Sequence, residues 1–516
     1  YNLGNIYLSL NDSEKAESNY IEALKFDPQN SKVYNNLGQV YIDLNRIEDA
    51  LECFENALKY NHNEKKAFHN LIDLHLKTSN WSKIQSYIDL YYKKESFVDE
   101  GLPVNIQNIM DRPDYLKYIN EEFLSFSVKS KNNNFRQNFR LNSKIKIAYF
   151  SADYSDNNPV TYIISDLIKF HNREKFEVYG CSLRGLKDKD NTRKYYEKHF
   201  DYFFDLEDKT NSQIQELCCS QKFNIIIDLN GYTKYARPEI FSLKLAPIQI
   251  NYLGYPGTLG SKSFDYIIAD KTVIPDEYTK YYTEKIAYLP NTYFINPEKR
   301  KISKRQFKRK DLKIPPKGII FCCFNQNYKI LPNVFNVWMN ILKKVEGGVL
   351  LLSHTNKIAK KNLKIEAEKR GVNSNRLIFS EYFKDIEDHL ARFEIADLFL
   401  DTLPYNAHTT ASDSIWAGVP LVTCIGKSFA SRVSSSILNS VGLEELITHS
   451  LNEYEEKAVE LALNPDKLKT LKLKLINQRN NSILFNSKNY TQNIEKLYEE
   501  MYVNFSLGNR SKTFYI

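Results

Sequence analysis

Asn406-Ala407-His408-Thr409-Thr410-Ala411-Ser412-Asp413-Ser414-Ile415-Trp416-Ala417-Gly418-Val419-Pro420-Leu421-Val422-Thr423 reads as a polar turn, a short apolar helix and a Gly-Val-Pro entry into a strand. A helix closed by glycine and fed directly into an apolar strand is the repeating unit of a parallel sheet with both faces covered. Thr409 and Thr410 are placed to cap this helix, whose first unpaired N–H groups make a positive end where an anion can rest. Asp413, one turn further in, can hydrogen-bond sugar hydroxyls, so the stretch suits a nucleotide-sugar better than a bare phosphate. An ordinary capped helix carries the same signature.

The rhythm extends in both directions. Ile319 to Phe324, Val349 to Ser353, Leu377 to Phe379, Leu398 to Leu400 and Leu421 to Cys424 are apolar runs of strand length separated by amphipathic stretches. Upstream, Ile145 to Ser151, Phe176 to Leu183, Phe223 to Leu229, Ile248 to Leu253 and Tyr266 to Ala269 form a first set. Two α/β units in tandem predict two Rossmann-like lobes with a cleft beyond the carboxyl ends of their strands. The expected division is a first lobe over 144–297, a basic linker over 298–312, a second, ligand-binding lobe over 313–489, and a C-terminal helix with a disordered tail over 490–516.

At the N-terminus, Leu3, Gly4, Tyr7, Ala16, Tyr20, Ala23 and Leu24 recur 34 residues later as Leu37, Gly38, Tyr41, Ala50, Phe54, Ala57 and Leu58. This is the tetratricopeptide pattern, in which small residues let paired helices approach and aromatic ones fill the gaps. A third unit keeps Leu71 but has Ile72, His75 and Ile84 where the pattern has Gly, Tyr and Ala, and reads as a terminal capping pair. Helical repeats are expected over 1–97. An irregular connector follows over 98–143, with helix near Tyr115 to Phe126 and an Asn132-Asn133-Asn134 run.

At 516 residues and 42% hydrophobic content the chain can bury large cores, and no stretch is apolar enough to span a bilayer. Net charge is a mild +8. Part of the excess lies in Lys299, Arg300, Lys301, Lys304, Arg305, Lys308, Arg309 and Lys310, where Phe307 is the one aromatic; this reads as a solvated linker rather than a nucleic-acid site. Seven cysteines without a C-x-x-C pair predict reduced, mostly buried thiols and a cytoplasmic location. Nine scattered histidines give no metal-ligand spacing, so no metal site is expected and positive charge must come from side chains and helix ends.

Asn325-Gln326-Asn327-Tyr328-Lys329-Ile330 follows a strand, so Lys329 stands at a strand mouth where an ammonium can neutralise a departing diphosphate. A solvated loop lysine, and a Gln326 that bonds its own backbone, fit the same sequence. His389, in a helix start before the strand at Leu398, can stack on a nucleobase or simply face solvent. In the first lobe, Asn230-Gly231-Tyr232-Thr233 and Leu253-Gly254-Tyr255-Pro256-Gly257-Thr258 are turns after strands, and Ser151-Ala152-Asp153-Tyr154-Ser155-Asp156-Asn157-Asn158-Pro159 leads into a helix.

Taken in order, these motifs resemble the O-linked N-acetylglucosamine transferase family from Tyr1 to about Gly442. The resemblance implies a GT-B glycosyltransferase that needs no cofactor and no metal. It would move N-acetylglucosamine with inversion from UDP-N-acetylglucosamine to Ser or Thr hydroxyls of acceptor proteins held by the repeats. The Spindly branch shares the layout and implies GDP-fucose as the alternative donor; a non-catalytic repeat scaffold is the other reading. By motif position, Gln326 and Lys329 would contact the donor diphosphate, with His408, Thr409 and Thr410 at the phosphates and Asp413 on the ribose. His389 would pack on the base, and Gly254, Pro256 and Thr258 would border the sugar. Asn158 stands where the family usually carries a histidine, and an amide can orient a substrate but cannot take its proton.

Overall fold

The computed structural model describes residues 1–93, 103–127, 144–155, 158–185 and 191–516. Three antiparallel helix pairs open the chain: Asn2–Ser9 with Ser13–Phe26, Ser31–Asp43 with Ile47–Tyr60, and Lys65–Lys77 with Trp81–Lys93. The 34-residue period has a steric cause. A Cβ on Gly4 would fall 2.6 Å from the Tyr20 ring and one on Gly38 2.7 Å from the Phe54 ring, so each glycine makes room for the aromatic of its own repeat. The third pair, with Ile72 and Ile84 buried, docks on the second lobe, where Trp81 meets Phe335 edge-on at 5.0 Å between ring centroids. Of the connector, Pro103–Gln107 and Pro113–Ser127 are helical; residues 98–102 and 128–143, including the asparagine run, lie outside the described residues.

The first sheet contains β1 (Ile145–Ser151), β2 (Phe176–Ser182), β3 (Tyr202–Asp205), β4 (Ile225–Asp228), β5 (Ile248–Asn251), β6 (Tyr266–Ala269) and β7 (Lys285–Tyr288). The second contains β8 (Ile320–Cys323), β9 (Val349–Leu352), β10 (Leu377–Phe379), β11 (Leu398–Leu400), β12 (Leu421–Cys424) and β13 (Ile447–Thr448). A last strand, β14 (Phe514–Tyr515), joins the first sheet, giving orders β14-β7-β6-β5-β4-β1-β2-β3 and β10-β9-β8-β11-β12-β13. Neighbours run parallel throughout, for example Ile147 beside Val178 and Ile225, and Phe321 beside Leu350 and Leu398. The central strands are buried on both faces, as their unbroken apolar runs require.

Two expectations are corrected here. The tail is not a disordered segment: helix Ser487–Ser506 crosses back to the first lobe and β14 pairs with β7. Buried polar contacts hold the crossing, with Glu495 accepting from His171 at 2.9 Å and the Tyr490 and Tyr252 hydroxyls 2.6 Å apart. The basic stretch is not uniformly solvated either. Lys299, Lys301 and Lys304 face water, but the Arg300 side chain is 1% exposed and ion-paired with Asp413. A guanidinium is buried only where its charge and donors are matched, and a charge count cannot reveal that match.

Candidate active site

An interlobe cleft of about 960 Å³ is lined from the first lobe by Asn158, Tyr162 and Tyr195, and from the second by Gln326, His389, Thr409, Thr410 and Asp413. Its volume is in the range of a pocket that takes a nucleotide-sized ligand. Lys329 and His408 stand beside this wall rather than on it. The Lys329 Nζ donates to the carbonyl of Asn406 at 3.3 Å and lies 3.9 Å from the centre of the Tyr405 ring, which stacks on His408 at 4.6 Å. Ammonium, aromatic ring and imidazole thus form one column next to the start of helix Thr409–Ala417.

Asp401, at the end of β11, builds the turn that carries this column. Its Oδ1 accepts from the amides of Thr402 at 2.8 Å and Ala407 at 2.7 Å, while Oδ2 accepts from the Thr423 hydroxyl at 2.6 Å. Asn325, at the end of β8, donates to Thr402 at 2.7 Å and accepts from the Thr410 hydroxyl, tying two strand ends to the helix start. The expected capping by Thr409 and Thr410 is not what forms. His408 is the N-cap residue and makes no side-chain cap bond; the hydroxyl of Thr410 points to Asn325 instead. Ala411 and Ser412 donate to the His408 carbonyl, so among the described residues the amides of Thr409 and Thr410 are left without an acceptor at the cleft wall.

Electrostatics sharpen the picture. Burial, eased by Asp401, brings the Lys329 ammonium down to about 8. Burial and then the Lys329 charge push His408 well below the usual imidazole range, so its Nε2 acts as a neutral donor to the Ala430 carbonyl at 3.2 Å. His389 is also held low, by burial and then by Arg392. Because the Arg392 guanidinium can only donate, His389 Nδ1 accepts from it at 2.7 Å, and Nε2 carries the proton toward Asp413 Oδ2 at 3.1 Å. Burial opposes the Asp413 charge, but Arg300 and His389 outweigh it and hold the carboxyl below the usual carboxylate range. Arg300 also reaches the Tyr162 hydroxyl of the first lobe at 3.2 Å, so the carboxylate is fixed by both lobes.

The first-lobe residues behave differently. Asn158 lines the cleft, but its Oδ1 accepts from the Val160 amide at 2.9 Å and caps helix Pro159–Phe170. Beside it, Asp153 is held by Asn230 at 2.7 Å and burial pushes its carboxyl up. Asp156 and Asn157 of that loop lie outside the described residues. Gly254, Pro256 and Thr258 are not brought to the cleft wall. A Cβ on Gly254 would fall 1.9 Å from the Leu229 carbonyl oxygen, the Pro256 carbonyl accepts from Gln107 at 3.3 Å, and the Thr258 hydroxyl donates to Glu284 at 2.5 Å. Sequence reasoning missed Arg300, Asn325, Arg392 and Asp401. The one signal for them was position: Asn325 and Asp401 each follow a predicted strand directly.

The fold and cleft are those of a two-lobed GT-B glycosyltransferase carrying helical repeats, a class in which the ligand lies between parallel-sheet lobes. A solved O-GlcNAc transferase mutant of Thermobaculum terrenum superposes with a TM-score of 0.79 at 23% identity, covering 98% of this chain and 97% of that one. The chain belongs to glycosyl transferase family 41, which it matches over residues 124–309 and 302–494. Tetratricopeptide repeats match over 31–64 and 4–44. A probable UDP-N-acetylglucosamine–peptide N-acetylglucosaminyltransferase SEC of Arabidopsis thaliana is 37% identical over 365 residues, 70% of this chain and 37% of the plant protein. The Caenorhabditis elegans UDP-N-acetylglucosamine–peptide N-acetylglucosaminyltransferase is 27% identical over 477 residues, 71% of this chain and 41% of that protein. A probable UDP-N-acetylglucosamine–peptide N-acetylglucosaminyltransferase SPINDLY of Solanum lycopersicum is 27% identical over 371 residues, covering 70% and 39%. The chain thus spans about two-fifths of the length of these curated relatives. Among the described residues no helix is long and apolar enough to cross a membrane, and no three His, Cys, Asp or Glu side chains cluster to hold a metal. All seven cysteines are free and only Cys219 is exposed.

Proposed function

We propose that this chain transfers N-acetylglucosamine from UDP-N-acetylglucosamine to Ser or Thr hydroxyls of polypeptides, by direct displacement with inversion and without a metal. The observation that carries the reading is that the unpartnered amides of Thr409 and Thr410 lie on the cleft wall with the Lys329 ammonium and the Tyr405–His408 turn packed directly beside them. Charge builds on the β-phosphate as the sugar leaves. A cation and helix-start amides already aimed at that place stabilise it without reorganisation. Gln326 adds a polar contact on the same wall, His389 packs on the base, and Asp413 offers its remaining acceptor capacity to the ribose. The acceptor hydroxyl is the nucleophile, and its proton passes to a donor phosphate oxygen, because Asn158 cannot take one. The repeats present the polypeptide, and the Gly254–Thr258 loop shapes the sugar end of the cleft from behind.

Turnover of UDP-N-acetylglucosamine and of GDP-fucose, each with a Ser/Thr-rich peptide and with a chelator present, tests the proposal. Transfer of N-acetylglucosamine with inverted anomeric configuration, insensitive to the chelator, is expected. Turnover of GDP-fucose alone would overturn the donor assignment, and loss of activity in chelator would overturn metal independence.

A further inference from the structure

Helix Lys65–Lys77 ends against the second lobe, and the carbonyls of a helix's last turn have no partners within the helix. The Leu74 and His75 carbonyls are satisfied locally by the amides of Thr78 and Asn80, both at 2.9 Å. The Leu76 carbonyl also accepts locally, from the Ser79 amide at 3.1 Å, while the Lys77 and Thr78 carbonyls are satisfied from the other domain. Asn327 Nδ2 donates to Lys77 at 2.8 Å and to Leu76 at 3.3 Å, and lies 3.2 Å from the Ser79 hydroxyl. Asn356 Nδ2 donates to Lys77 at 2.7 Å, and Asn362 Nδ2 to Thr78 at 2.9 Å. Asn356 also caps helix Lys357–Lys369 through its Oδ1, accepting from Ala359 at 2.8 Å, so the negative end of a repeat helix meets the positive end of a catalytic-lobe helix.

One of these asparagines differs from the others in where it sits. Asn327 opens the short 3-10 turn Asn327–Lys329, closed by Lys329 N to the Gln326 carbonyl and Ile330 N to the Asn327 carbonyl, both at 3.0 Å. Displacing Asn327 therefore displaces the backbone of Lys329, whose ammonium must hold its place over Tyr405 and beside Asn406. Asn356 and Asn362 hold the same helix end but belong to the segment at the start of helix Lys357–Lys369, away from that turn.

We propose that Asn327 is a positioning residue: by donating to the Leu76 and Lys77 carbonyls it fixes the turn bearing Lys329, making the last repeat a structural part of the donor seat. Misplacing a charge-stabilising group by an ångström costs rate even when every reacting group is present. This inference rests on the transferase reading above. It adds that the repeats act on donor cleavage itself, before any polypeptide is bound.

The test uses the full chain, UDP-N-acetylglucosamine without an acceptor, UDP binding by calorimetry, and hydrogen exchange of the amides from Leu76 to Asn80. For Asn327→Ala we expect donor hydrolysis to fall about tenfold in kcat with UDP affinity within about threefold, and Asn327→Gln to recover part of the rate. Asn362→Ala should raise exchange at the helix end yet leave kcat within about twofold of native. Native kcat in Asn327→Ala despite faster exchange would overturn the inference, as would an equal loss of kcat in Asn362→Ala, which would reduce the clasp to plain docking. Native protein that neither binds UDP nor cleaves the donor would overturn the transferase reading and this inference with it, a pattern distinct from either of those.

Discussion

The two walls of the cleft are built from the same kind of unit, a loop leaving a parallel strand, yet they treat their polar groups in opposite ways. On the first-lobe side, the Asn158 carboxamide caps a helix and, behind the wall, the Thr258 hydroxyl is bound to Glu284. On the second-lobe side, the Thr409 and Thr410 amides lack acceptors among the described residues, and the Lys329 ammonium has one carbonyl and a ring for company. On the function proposed above, the wall whose polar groups are satisfied would supply shape and the one with donors held open would supply the chemistry. Helix-start amides left open beside a cation are, on that function, where the donor diphosphate would rest.

Breaking this contrast should give effects that fall in a set order. The largest is expected for Lys329→Ala, with donor turnover down by about 10²-fold or more, as for loss of a group acting on transition-state charge. Near-native kcat in that variant would remove the ammonium from the mechanism. Next comes pH. The Lys329 ammonium, lowered to about 8 by burial, is present below that pH and lost above it, so kcat/KM should fall as pH rises through about 8, by about tenfold per unit. Lys329→Arg should lack that descending limb, and a limb that persists belongs to another group. A smaller loss is expected for Arg300→Met, which frees the Asp413 carboxylate from one of its anchors: donor KM should rise about tenfold with kcat little changed. A change in kcat alone would mean that Arg300 serves chemistry rather than nucleotide placement. The smallest effect on rate falls on the first lobe. Asn158→Ala should stay within about threefold of native kcat while lowering stability by about 1 kcal/mol, the usual cost of a lost N-cap. A fall of about 10²-fold there would erase the distinction between the two walls.

What could be read in the sequence follows the same divide. The paired Gly and aromatic positions announced the repeats because Gly4 and Gly38 sit directly against Tyr20 and Phe54. Apolar runs announced the buried central strands. β3, β7, β13 and β14 went unread: β13 and β14 are two residues long, β3 lies at the sheet edge with Tyr202 53% exposed, and β7 is a short strand that opens on the exposed Lys285. The helix start at 409 was legible, but the identity of its cap was not, because Thr410 bonds Asn325, 85 residues away in sequence. Arg300 was illegible for the same reason. Among seven exposed-looking cationic neighbours, only the arrival of Asp413 from over a hundred residues downstream distinguishes it.

The central claim is that the donor diphosphate rests against the Thr409 and Thr410 amides with Lys329 beside it, and a crystal structure of the chain with UDP tests it most directly. The account predicts phosphate oxygens within hydrogen-bond distance of both amides and of the Lys329 ammonium, with the base against His389. UDP bound with its phosphates toward Asn158 and Tyr195, leaving those amides and the ammonium untouched, would contradict it.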